Sequence, residues 1–119
     1  MIVGTHLLAL SPDAAADRAF LRDVLGWPSV GAGVAGDDWP VFRLPPAELG
    51  VHPTDGGSST ALYLLCDDLA STMADLGARG VTFTGPPQER GWGLVTGIRL
   101  PSGGELGLYE PRHATAYDL

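Results

Sequence analysis

The stretch RLPPAELGVHP, residues 43–53, returns as RLPSGGELGLYEP, residues 99–111. A phrase repeated at such a distance marks a duplicated supersecondary unit, and duplication restricts the fold more than any overall composition does. Each copy also sets a glycine, Gly50 and Gly107, inside an otherwise strand-like run. The elements around the copies repeat in the same order. In the first half IVGTHLLAL (2–10) reads as a strand and SPDAAADRAFLRDVLG (11–26) as a helix. That helix has Asp13 as N-cap, Ala16, Phe20 and Val24 at helical spacing, and Gly26 as its stop. SVGAGV (29–34), WPVFRLP (39–45) and ELGVHP (48–53) follow as strands punctuated by Gly, Asp and Pro.

The second half gives TALYLLC (60–66) as a strand and DDLASTMADLGARG (67–80) as a helix. Asp68 is its N-cap, Leu69, Met73 and Leu76 share one face, and Gly80 ends it. VTFTG (81–85), GLVTGIRLP (93–101) and ELGLYEP (105–111) complete the set. The reading is an α+β chain of two βαβββ modules, 1–53 and 60–111, joined by the linker 54–59 and followed by a tail, 112–119. With 119 residues the modules form one domain rather than two, packed together around one cavity.

Charge narrows the partners. Fourteen acidic residues against seven basic ones give a formal charge of -7, the wrong sign for neutralising nucleic-acid phosphates. The same charge would draw in a cationic ligand. The single cysteine, Cys66, leaves no internal disulfide or multi-cysteine zinc site and reads as a small buried hydrophobe. No basic N-terminal leader and no membrane-length apolar run is present, so the expectation is a cytoplasmic protein without membrane contact. No phosphate-binding loop or nucleophile elbow occurs: SVGAGVAGDD is not followed by a helical pattern.

Taken in order, THLLALSPDAAADRAFLRDVLGW, LYLLCDDLASTMADLGARGVTF and RLPSGGELGLYEP resemble the vicinal oxygen chelate superfamily, the group of glyoxalases, bleomycin resistance proteins and extradiol dioxygenases. The resemblance spans almost the whole chain. It implies curled mixed sheets enclosing a cleft, and a homodimer, in some members with modules exchanged between subunits. In metal-dependent members the ligands come from the first and last strands of each module. His6 stands at the first of those positions. Ala61, or Thr60 if the register is one residue off, stands at the second-module equivalent, and Gly50 and Gly107 stand at the last-strand positions. Alanine and glycine carry no donor atom, and one imidazole does not hold a catalytic ion against water. A one-residue slip would exchange strand faces and bring His52, Glu105 or Glu110 into play beside His6.

If Gly50 and Gly107 face the cleft, each bares the backbone to a ligand; alternatively both mark bulges where the sheet bends. Glu48 and His52 flank the first glycine on its face, and Glu105 and Tyr109 flank the second. Trp92, between two glycines at the head of a strand, would offer a flat stacking surface, and Tyr63 and Tyr109 would add apolar walls with polar tips. The candidate cleft is therefore His6, His52, Tyr63, Trp92, Glu105 and Tyr109. Trp27 and Trp39 read as packing at element ends, Asp37-Asp38 and Asp67-Asp68 as turn and cap residues, Glu110 as a strand-end carboxylate paired with an arginine, and His113 as a tail residue without a role.

The expected function is binding or sequestration of a small organic molecule such as a natural product or drug, without the family's metal centre. The alternative is a lyase, isomerase or dioxygenase that uses Zn, Ni, Mn or Fe on His6, Glu105 and Glu110.

Overall fold

The computed structural model describes residues 1–31 and 39–119. The first helix begins where Asp13 Oδ1 accepts the Ala16 N–H at 3.1 Å. It runs as α1, Ala14–Ala19, and passes into a wider π-helical turn, Phe20–Val24, closed by the Leu25 N–H donating to the Phe20 carbonyl. The sequence reads this stretch as one helix; the wider turn is a departure from it. Strands β1 (Ser29–Gly31) and β2 (Pro40–Phe42) then pair antiparallel as a two-stranded ribbon. Residues 32–34 of the expected SVGAGV strand, and the Asp37-Asp38 pair, lie outside the described residues.

The second half matches its expected order closely. Strand β3 (Tyr63–Leu65) leads into α2 (Leu69–Ala78), capped by Asp68 Oδ1 on the Ser71 N–H at 2.9 Å. Both helical segments stop at a glycine in the left-handed region, Gly26 at φ 71° and Gly80 at φ 87°, a conformation that costs glycine little. Strands β4 (Gln88–Arg90), β5 (Gly93–Arg99) and β6 (Glu105–Pro111) follow. They form a four-stranded mixed sheet in the order β3-β6-β5-β4, with β3 parallel to β6 and the other pairs antiparallel. The expected strand 81–85 reduces to one bridge, Phe83 with Ile98, and β4 is a strand the sequence did not single out.

Leu69, Leu76, Ile98, Leu106 and Leu108 pack α2 against one face of this sheet, and Phe20 joins the same core from the first half. Leu69 and Ile98 are fully buried. The two halves are also tied by polar contacts: Ser102 donates through its hydroxyl and its N–H to the Asp17 carboxylate at 2.7 and 3.1 Å, and Arg79 donates to the Val24 carbonyl at 3.2 Å.

The halves are unequal, which corrects the expectation of two matching modules. Residues 2–10 and 48–53 are irregular rather than strands, and Ile2, Leu8, Leu10, Leu49 and Val51 are exposed. A strand forms where a partner takes up its backbone groups. The second half supplies one in the parallel β3–β6 ladder, whereas the corresponding first-half segments make no such ladder among the described residues. Consistently, the enclosed cleft between two curled sheets is not formed by the described residues. No helix among them is long and apolar enough to cross a membrane.

Candidate aromatic site on the open sheet face

Alternation along β6 assigns its side chains. Leu106 and Leu108 enter the core under α2, so Glu105, Gly107 and Tyr109 stand on the opposite, open face. Tyr63 of β3 is opposite Gly107 in the parallel ladder, and its ring lies over that glycine: a β-carbon built on Gly107 would collide with ring atoms Cδ1, Cε1 and Cγ. Gly107 therefore makes room for a neighbouring aromatic ring. It is neither bare backbone nor a bulge, since β5 and β6 pair in continuous register from Gly93–Pro111 to Arg99–Glu105.

Trp92 and Tyr109 complete a triad. The centroid separations are 6.1 Å for Tyr63–Trp92, 5.9 Å for Tyr63–Tyr109 and 5.0 Å for Trp92–Tyr109, with interplanar angles of 82° to 89°. Tyr63 is 45% exposed and Trp92 39%, while Tyr109 at 7% forms the base. Three of the six cleft residues named from sequence thus come together. Glu105 stands two residues along the same face from Gly107 and accepts a hydrogen bond from the Thr84 hydroxyl at 3.3 Å. His6 and His52 lie on exposed irregular segments, and the His52 ring packs beside Gly50.

Several contributors escaped the sequence. Tyr109 Oη and His113 Nε2 are 2.9 Å apart, and His113 Nδ1 lies 2.8 Å from the Ala114 carbonyl. A carbonyl can only accept, so Nδ1 carries a proton and donates to Ala114. Glu48 Oε1 accepts the Ala116 N–H at 2.9 Å, which holds the tail against the first half. Burial, and then the Glu48 carboxylate, push the hydroxyls of both Tyr109 and Tyr117 above the usual tyrosine value. The Arg112 guanidinium pairs with Glu89, and the Arg112 backbone N–H donates to the Trp92 carbonyl. The Glu48–Ala116 and Arg112–Glu89 contacts span long sequence separations and leave no local pattern. Trp39, read as packing, is instead 56% exposed with the Arg18 guanidinium 5.9 Å from its ring centroid.

The residues do not fit a metal ion of the kind the resemblance implies. The last-strand donor position of the second half is Gly107, and the Tyr63 ring fills the space a donor side chain would need. The slipped register fails as well. Glu110 turns toward α2, where its Oε1 accepts the Leu69 N–H at 3.0 Å, so it caps the helix rather than pairing with an arginine and stands on the opposite face from Glu105. Among the described residues no three His, Cys, Asp or Glu side chains converge. Cys66 is half-buried, its thiol pushed up by desolvation.

Two shallow concavities lie elsewhere, beside the β1–β2 ribbon: about 470 Å³ bordered by Trp27, Arg43 and Pro45, and about 360 Å³ bordered by Val30, Val41 and Phe42. Both are open to solvent and neither gathers converging polar side chains.

The chain resembles known proteins over most of its length. The family model described as Glyoxalase/Bleomycin resistance protein/Dioxygenase superfamily matches residues 5–112. No curated protein matches significantly in sequence. Among solved structures, TnmS3, an antibiotic binding protein from Streptomyces sp. CB03234, superposes with a TM-score of 0.66 at 22% identity, covering 93% of this chain and 98% of its own. A Sphaerobacter thermophilus member of the same superfamily gives 0.63 at 25% identity, with 92% and 98% covered. Lactoylglutathione lyase from Agrobacterium tumefaciens gives 0.59 at 18%, with 90% and 92% covered. Binding proteins and enzymes thus share the scaffold, and the site must decide.

Proposed function

Since the chain belongs to the glyoxalase/bleomycin resistance protein/dioxygenase superfamily, we propose that it is a binding member that holds a small aromatic organic molecule, such as an antibiotic, without a metal centre. The observation that carries this reading is the Tyr63 ring over Gly107, an aromatic surface where the family's metal-dependent members place a donor. Exposed ring faces with polar tips suit a planar organic ligand better than an ion. The resemblance in fold to TnmS3 lends support, since that protein is described as antibiotic binding.

The working form is a homodimer. The exposed apolar residues of 2–10 and 48–53 pair with no strand among the described residues, and a second copy supplies a ladder. Pairing there builds the second curled sheet and turns the open aromatic face into a cleft lined by His6, His52, Tyr63, Trp92, Glu105 and Tyr109.

Thermal denaturation against a panel of planar aromatic natural products tests the reading. A ligand at a hundredfold excess over its dissociation constant stabilises the fold by about 2.7 kcal/mol. A shift of that order in the wild type, lost in Trp92→Ala, is expected. A folded protein that no member of the panel stabilises overturns it.

A further inference from the structure

We infer that the Tyr63–Trp92–Tyr109 corner, with Glu48 beside it, is a recognition site for an organic cation, a protonated or quaternary amine carried by the ligand. The inference rests on the binding function proposed above and names the ligand's chemistry. Three nearly perpendicular ring planes with centroids 5.0 to 6.1 Å apart form the inner corner of a box. Tyr63 and Trp92 are partly exposed, and an accessible ring attracts a cation placed within ~6 Å of its centroid. Two of the walls are open to solvent, so the corner is accessible.

The electrostatics have the matching sign. The Glu48 carboxylate is close enough to raise the hydroxyls of Tyr109 and Tyr117, and its Oε1 is held by the Ala116 N–H. Arg112, the nearest arginine in sequence, is engaged with Glu89. A formal charge of -7 adds a long-range attraction for cations.

Choline and 3,3-dimethyl-1-butanol, which share a shape and differ in charge, make the test by calorimetric titration. Choline is expected to bind at least tenfold tighter than the alcohol. Trp92→Ala should abolish that preference. Glu48→Gln should weaken choline several-fold while leaving the alcohol unchanged, because the amide oxygen still accepts from Ala116 and removes only the charge. Equal binding of the two probes, or a Glu48→Gln variant that binds choline as the wild type does, overturns the inference. If neutral planar aromatics stabilise the protein and choline does not bind, the cation site falls and the binding function stands. If neither binds, both fall.

Discussion

The ring of Tyr63 occupies the space above Gly107 where a β-carbon would stand, so the two residues fit as a ring and its recess on adjoining parallel strands. The pairing explains the glycine and sets the character of the site, because a donor side chain at that position and the Tyr63 ring exclude one another.

Gly107→Ala should therefore destabilise the fold by about 1–3 kcal/mol, the usual range for an overpacked side chain. In the Tyr63→Ala background the same change should be nearly neutral, since its collision partner is gone. Urea denaturation of the four proteins in this double-mutant cycle measures the coupling.

Asp17 and Ser102 join the first helix to the β5–β6 turn. Burial works against the Asp17 charge, but hydrogen bonds from the Ser102 hydroxyl, the Ser11 hydroxyl and the Ser102 N–H outweigh it and hold the carboxyl below its ordinary value of 3.8. A depressed carboxylate contributes stability that is complete above the unfolded value and disappears as pH falls through the lower folded one. Asp17→Asn should cost about 1–3 kcal/mol at pH 7, as for a lost charged hydrogen bond. The difference from wild type in urea midpoint should shrink steadily below pH 4.

Glu110 ties the end of β6 to the first N–H of α2. Glu110→Ala should lower stability by about 1 kcal/mol through loss of that cap and of a carboxylate at the helix N-terminus. Ligand binding should be unaffected, because the side chain stands on the core face. A Glu110→Ala variant of full stability that no longer binds the aromatic panel would contradict this assignment.

The second half was legible because its signals are local. Asp68 caps the helix it precedes, Gly80 ends it, and Leu106 and Leu108 alternate into the core as the pattern ELGLYEP implies. Residues 2–10 and 48–53 carry equally apolar patterns, yet a strand also needs a partner, and no local pattern says whether one is at hand. The aromatic triad was nameable from Tyr63, Trp92 and Tyr109 singly. Its arrangement, and the part played by Glu48 and His113, depend on contacts with the tail and across the sheet that spacing does not encode. Gly107 is the sharpest instance. Its strand position was readable, while its purpose lies in the side chain of a residue far along the chain.

The Tyr63 ring stands over Gly107, where the resemblance places a metal donor. Elemental analysis of protein purified without chelator or affinity tag, with Ni, Zn, Mn and Fe titrations followed by thermal denaturation, tests the metal-free reading most directly. No stoichiometric metal and no rise in melting temperature from any of the four ions is the expected result. About one equivalent of metal per chain, raising the melting temperature and lost in His6→Ala, would contradict it.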